Sequence, residues 1–346
     1  MRVLVTGGAG FIGTNLVRLL LEERPSWEVE VLDLLTYAGN FDNVSELIDG
    51  ERIAFHKKDI TVASDVQEVF QDAQYDIVFH LAAESHVDRS LYAASTFAAT
   101  NVLGTQHLVD ASLQSGVKRF VHVSTDEVYG SMGPEDRATE DYPIVPSSPY
   151  SASKASSDLM VLAAHKSLGL PAVVTRCTNN YGAYQFPEKF IPLFITRAMR
   201  DEALPLYGDG KQMRSWIHVT DHCRALLELA EHDVVGEVFN IGGFEEAELT
   251  NIHVARQILS ALGKPESLIQ HVTDRPAHDR KYAVDSSALN RLTGWKPQVS
   301  FADGIAETIR WYENNEAWWQ AIISGSYQQF YEKHYGARHT TSSTES

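Results

Sequence analysis

The stretch Arg2-Val3-Leu4-Val5-Thr6-Gly7-Gly8-Ala9-Gly10-Phe11-Ile12-Gly13 decides the fold. A short strand, Arg2 to Thr6, runs directly into glycines, and Leu16, Leu19 and Leu20 then mark one face of a helix. Glycines at such a junction let the chain turn tightly and let a pyrophosphate approach the backbone at a helix N-terminus. The spacing fits G-x-G-x-x-G through Gly8, Gly10 and Gly13, and G-x-x-G-x-x-G through Gly7, Gly10 and Gly13. Spacing alone is weak, because glycine-rich turns are common in structural loops. Position strengthens it: a second strand, Glu28 to Asp33, ends in an acid 20 residues after Gly13. An acid there can bind both ribose hydroxyls of NAD and would repel the 2′-phosphate of NADP, and no Arg or Lys follows in Leu34-Leu35-Thr36-Tyr37.

Outward from this unit the alternation continues. A helix is expected near Val44–Ile48, a strand at Ile53–Lys57 ending in Asp59-Ile60, and a helix near Val62–Phe70. The strand Asp76–Leu81 opens into Ala82-Ala83-Glu84-Ser85, small residues that allow close approach of a cofactor or simply a tight strand–helix contact. A long helix, about Ala93–Ser115, leads to a fifth strand at Phe120–Val123, and Ala172–Arg176 reads as a sixth. Strands alternating with helices at this spacing predict a Rossmann-type, doubly wound parallel α/β sheet with a smaller C-terminal substrate-binding lobe. The expected division is 1–175 for the NAD-binding domain, which also receives later segments near 210–245, and 176–330 mainly for the lobe. In that second half the pattern suggests a helix from Gln185–Pro192 to about Arg200 and short strands at Leu204–Tyr207 and Ser215–Val219. Asp221–Glu231, Ile252–Leu262 and a final stretch from Phe301 to Asn314 read as helices, and Val238–Ile241 as a strand. The tail, 338–346, has little to bury and is expected to be disordered.

The fifth strand drives into Thr125-Asp126-Glu127-Val128-Tyr129-Gly130. In an open α/β sheet, ligands bind at this carboxyl edge. Two adjacent carboxylic acids can act as a general acid and a general base if their environments push their pKa values apart; the bland reading is a solvated loop with a salt bridge. Further on, Tyr150 and Lys154 are four residues apart and share a helical face. A nearby ammonium would lower the tyrosine pKa from about 10 and suit the phenol to take a proton from a sugar hydroxyl; elsewhere such a pair would be a surface contact.

Composition bounds the partners. The formal charge of −17 over 346 residues excludes a basic field for nucleic acid or anionic membranes, so an anionic substrate needs a local cluster of cations. Cys177 and Cys223 form neither a disulfide framework nor a metal motif. No apolar run approaches the length of a membrane span, and a strand starting at Arg2 leaves no room for a leader, so a cytoplasmic protein without bound metal is expected.

With Thr6–Gly13, Thr125-Asp126-Glu127 and Tyr150-x-x-x-Lys154 in hand, residues 1 to about 325 resemble the extended short-chain dehydrogenase/reductase superfamily. Within it they resemble the dTDP-glucose 4,6-dehydratases. The acid pair is the selective feature, and Asn179-Asn180-Tyr181-Gly182, Gln185–Lys189 and Arg275–Arg280 also fit the dehydratase pattern. Ala183, where proline is usual, and Ala277, where glycine is common, depart from it only in local loop geometry.

The resemblance implies catalytic roles for Thr125, Asp126, Glu127, Tyr150 and Lys154. Tyr150, its pKa lowered by Lys154 and NAD, would deprotonate the glucose 4-hydroxyl while Thr125 hydrogen-bonds that oxygen. Glu127 would remove the C5 proton and Asp126 would protonate the departing C6 hydroxyl. Gly7, Gly10, Phe11, Ile12, Gly13, Asp33, Asp59, Ile60, Leu81, Ala82, Ala83, Thr100, Tyr150, Lys154 and Asn180 would contact NAD. Ser85, Thr125, Asn179, Glu188, Lys189, Arg214, Asn251, Arg275, His278 and Asp279 would contact the nucleotide sugar, with Lys189, Arg214 and Arg275 as candidate diphosphate partners. The family also implies a homodimer through helices near 93–115 and 150–168. The alternatives are 4,6-dehydration of another nucleotide sugar such as UDP-glucose, 4-epimerisation, which needs no acid pair, and a non-catalytic NAD-binding sensor.

Overall fold

The strands that build the centre of the protein are short and apolar on both faces, as parallel strands covered by helices on both sides require. In the computed structural model, which describes residues 1–71, 73–274 and 279–325, they are β1 (Arg2–Thr6), β2 (Glu28–Leu32), β3 (Ile53–His56), β4 (Ile77–His80), β5 (Arg119–Thr125) and β6 (Ala172–Cys177). Smaller strands follow: β7 (Asn179–Tyr181), β8 (Leu204–Tyr207), β9 (Met213–His218), β10 (Val238–Ile241), β11 (Glu248–Thr250), β12 (Ile269–Val272) and β13 (Lys281–Tyr282). The main sheet has seven strands in the order β10-β6-β5-β4-β1-β2-β3, all parallel. The strand order reverses between β1 and β4, which opens a crevice at their carboxyl ends.

Two apolar layers sandwich the sheet. On one side Leu16, Leu20, Val31, Phe79, Val121 and Val173 pack with Leu226 and Leu229 of the helix Val219–Glu231. On the other, Leu4, Val78, Phe120 and Val174 meet Leu108 and Val161. A third cluster, with Tyr181, Phe194, Trp216, Ile258, Phe301 and Trp319, forms the centre of the smaller lobe. That lobe holds β7, β9, β11 and β13 in one sheet and β8 with β12 in another.

The helix expected at about Ala93–Ser115 is continuous but not uniformly α-helical. Ala94–Phe97 and Thr105–Ser115 flank a π-helical stretch, Ala98–Gly104. Wider turns of this kind gather at functional sites. Here the stretch carries Asn101, which donates to the Glu84 carbonyl (3.0 Å) and accepts from the Glu84 amide (2.8 Å), fixing the loop after β4. A helix at Glu316–Ile323, not expected from the sequence, follows Phe301–Asn314 and buries Trp319. Arg275, His278 and the 338–346 tail lie outside the described residues.

Candidate active site

The loops after β1, β2, β4, β5 and β7 converge on one cavity of about 970 Å³. It is lined by every residue expected to contact NAD, by Thr125, Asp126 and Glu127, and by Ser85, Asn179, Glu188, Lys189, Arg214 and Asn251. Asp279 is the described exception. Its carbonyl accepts from Arg214 (3.0 Å) and its carboxylate from the hydroxyls of Ser147 and Tyr282, so it stands behind Arg214, outside the cavity wall.

The glycine turn is built for close approach. A Cβ on Gly13 would lie 2.1 Å from the Gly7 carbonyl oxygen, and one on Gly7, whose φ is +72°, would lie 2.7 Å from the Ala82 amide. The helix Phe11–Glu23 has Gly10 as its N-cap, with no capping side chain and no acid in its first turn. Its leading N–H groups, at Phe11, Ile12 and Gly13 on the cavity wall, suit a phosphate. Beyond them Asp33 is buried, with one oxygen accepting from the Ala9 amide (3.0 Å) and the other from the Leu35 amide (2.8 Å). That carboxylate is anchored by backbone and keeps lone pairs for ribose hydroxyls. These features fit NAD. Gly13→Ala is expected to abolish retention of the dinucleotide, because the clashing atom is backbone that cannot swing aside; equilibrium dialysis with NAD on the folded variant checks this.

The catalytic candidates come from two elements. Strand β5 ends at Thr125, and the turn Asp126–Tyr129 presents the acid pair, with the Glu127 amide donating to Thr125 Oγ1 at 3.2 Å. The helix Pro149–Leu168 starts beside it. Pro149 occupies its first turn, and Ser148 and Ser151 cap each other reciprocally at 3.1 and 3.0 Å. This rigid start places Tyr150, whose phenol shares a hydrogen bond with Thr125.

Electrostatics separates the two acids. Burial, and then the charge of Glu127, push Asp126 up to about 8, against the opposing charge of Arg214. At neutral pH Asp126 is therefore a neutral acid beside a base. The expected lowering of the Tyr150 pKa joins Lys154 to NAD; the protein's own groups together act in the other direction. Burial first, and then the Glu127 charge, hold its phenol well above the ordinary value of 10.0. Lys154 does not offset this: its Nζ donates to the Val123 carbonyl at 2.8 Å, and burial lowers its own pKa to about 8. Helical spacing brings the two residues to one face but does not decide where the ammonium points.

Other predicted residues have partners inside the protein. Asn180 Nδ2 donates to the Thr178 carbonyl (3.0 Å) and its Oδ1 meets His222 (2.9 Å), so this side chain props up the loop. Asp59 caps its own turn by accepting from the Thr61 amide and hydroxyl, both at 2.8 Å. Lys189 donates to the Ser85 carbonyl (3.1 Å), and Arg214 donates to the Met213 carbonyl (2.7 Å) and stacks 4.4 Å over the Tyr282 ring. Asn179 keeps a buried Oδ1 without a partner at the cavity wall. Sequence reasoning missed Thr36, Lys58, Pro205, Tyr207 and Tyr282, which also line the cavity. Only folding brings them there; no motif marks them. Among the described residues no cluster could hold a metal ion, and no helix is long and apolar enough to cross a membrane.

Known proteins carry the same architecture. The family described as GDP-mannose 4,6 dehydratase matches residues 4–308. A dTDP-glucose 4,6-dehydratase of Streptomyces niveus is 47% identical over 328 residues, which are 94% of this chain and 96% of the relative. The crystal structure of DesIV, a dTDP-glucose 4,6-dehydratase from Streptomyces venezuelae solved with NAD, is 49% identical. It superposes with a TM-score of 0.88 over 93% of this chain and all of that one (100%). A UDP-glucose 4-epimerase of Thermus thermophilus, in complex with NAD, reaches 0.84 at 32% identity, covering 91% of this chain and 100% of the epimerase.

A doubly wound sheet with its glycine turn at β1 and a Thr/Tyr/Lys set at the carboxyl end of β5 defines an extended short-chain dehydrogenase/reductase. The acid pair and the full-length similarity narrow this further: the chain belongs to the dTDP-glucose 4,6-dehydratase family.

Proposed function

We propose that this chain is the lyase that converts dTDP-glucose to dTDP-4-keto-6-deoxyglucose with NAD as a retained cofactor. The observation that carries the reading is the acid pair at the end of β5, a buried, proton-bearing Asp126 next to a half-buried Glu127 in the cavity that holds Tyr150. NAD, which the glycine turn and Asp33 would hold, would supply the hydride acceptor for oxidation at C4, the hydride for C6 and a positive charge for the site. The chain's own residues do the proton work. Tyr150 takes the proton of the 4-hydroxyl, with Thr125 hydrogen-bonded to the same oxygen. The ketone at C4 acidifies C5, Glu127 removes that proton, and Asp126 gives its proton to the C6 hydroxyl, which leaves as water. Glu127 then reprotonates C5. Arg214 and Lys189 supply local cations for the diphosphate of the substrate, as an acidic protein requires.

The epimerase comparison shows why the fold alone does not choose the reaction. Epimerisation at C4 leaves Asp126 and Glu127 without work. A sensor would need neither acid, and dehydration of UDP-glucose would differ only at the base-reading end. Mass spectrometry of the product from dTDP-glucose, with UDP-glucose alongside, in deuterium oxide and without added NAD, tests the reading. Loss of one water with one non-exchanging deuterium at C5 is expected. A product of unchanged mass would mean epimerisation, and no product with added NAD would mean a sensor.

We also propose a cytoplasmic homodimer, with residues 1–175 and segments near 210–245 forming the cofactor unit and 176–330 mainly the substrate lobe. Leu103 and Leu159 support the dimer: they are 49% and 56% exposed on the two long helices, where a partner would cover them. A molar mass of one chain by light scattering would end that part.

A further inference from the structure

Three segments that form the cavity are tied together through Tyr37 and Arg89, two residues that do not line it. Tyr37 sits in the loop after β2, Arg89 in the short helix Val87–Ser90 after β4, and Glu188 in the segment after β7. The Arg89 guanidinium stacks 3.8 Å from the centre of the Tyr37 ring and reaches Glu188 at 3.5 Å. The Tyr37 hydroxyl hydrogen-bonds Glu84, and its ring meets Phe186 edge-on at 6.0 Å. His86 stands 3.8 Å from Glu188, and Lys189 closes the triangle by donating to the Ser85 carbonyl.

The placement is what matters. The neighbours of Tyr37, Thr36 and Ala38, face the cavity, as do Asp88, Glu84 and Glu188, whereas Tyr37 and Arg89 do not. The Arg89 side chain is 45% exposed. A half-exposed cation thus joins the loop that begins at Asp33, through Tyr37, to Glu188 in the segment after β7. Nothing in the proton chemistry uses it.

We propose that Arg89 and Tyr37 form a clasp that holds NAD in place between turnovers. The proposal rests on the reading of this cavity as the NAD site. A cofactor that is regenerated within each cycle has no need to leave, and one lost midway strands an oxidised sugar. The clasp provides a barrier to exit without contributing to the chemistry. Opening it requires breaking a stacked guanidinium–phenol pair and an ion pair together, while the glycine turn and Asp33 stay unchanged.

The test is exchange of bound, isotopically labelled NAD from the holoenzyme against excess unlabelled NAD, for wild type, Arg89→Ala and Tyr37→Leu. Exchange should be about three- to tenfold faster in each variant, the size expected for an exposed stacking and ion pair. Steady-state turnover with saturating NAD should stay within about twofold, because neither residue meets the reacting atoms. Arg89→Lys, which keeps the charge but loses the planar stack, should fall between. Unchanged exchange in both folded variants, with NAD bound and turnover intact, overturns the clasp and leaves the active-site reading standing. Failure of wild type to bind NAD overturns the site reading and the clasp with it. Equal losses in turnover and retention would place Arg89 in the catalytic machinery and also overturn the proposal.

Discussion

Glu127→Gln is expected to stop the reaction after C4 oxidation, with product formation falling by about 10²- to 10⁴-fold, the usual worth of a positioned general base. The substitution keeps size and polarity on the turn that follows β5 and keeps the amide bond to Thr125, which is made by the backbone. What it removes is the group that takes the C5 proton. It also removes a negative charge that raises both Asp126 and Tyr150. The phenol should therefore become easier to ionise, so oxidation at C4 survives while elimination does not. Quenching with borodeuteride and mass spectrometry of the trapped sugar should show deuterium at C4, the mark of a 4-ketone reduced on quenching, with the 6-hydroxyl retained. Deuterium at C5 should be absent. Product at near wild-type rate would remove Glu127 from the mechanism.

The parts of this protein legible in its sequence are those where local pattern and tertiary context agree. Strands β1, β4, β5 and β6 are built on buried Val, Leu, Ile and Phe between helices of clear period, so their type follows from hydrophobic burial. The acid pair and Tyr150 were legible for a similar reason, since each sits at the end or start of an element whose boundary the sequence marks. The strands β11 and β13, three and two residues long, were not, because such segments pair only when β9 is already beside them. The π-helical stretch at Ala98–Gly104 was hidden because no local pattern marks it; its Asn101 meets Glu84 from another loop, a contact made only in the folded chain. The fate of the Lys154 ammonium was hidden too. Helical spacing placed it on the face of Tyr150, but the Val123 carbonyl, an acceptor on a neighbouring strand, decides its direction. Charges in a cavity are settled by what the fold excludes from water, and a one-dimensional pattern carries little of that.

Asp126→Asn should separate function from stability more cleanly than any other change. Asp126 is 2% exposed, and its folded pKa lies near 8 against an ordinary 3.8, with burial the larger cause and Glu127 the next. A carboxyl with a raised pKa favours the folded state most fully at low pH. That contribution is lost progressively as pH climbs from about 4 through about 8, because the unfolded chain then ionises and the folded one resists. Asparagine cannot ionise. At pH 9 the variant should therefore unfold at a higher temperature than wild type, by about 3–6 °C, with little difference at pH 4. Its activity should move the other way. Without a proton to give the C6 hydroxyl, water loss should fall by about 10²-fold or more, whereas C5 exchange with solvent, which belongs to Glu127, should continue. The pH profile supplies the second arm. In wild type, elimination should decline as pH rises through about 8, where Asp126 loses its proton. Lys154 is also lowered to about 8 and titrates in the same window, so the wild-type limb alone does not apportion the two. The C5 exchange that persists in Asp126→Asn does, because it lacks Asp126 and can report only Lys154 there. A variant that eliminates water at the wild-type rate, or that is less stable than wild type at pH 9, would show that the buried carboxyl is not the acid of this reaction.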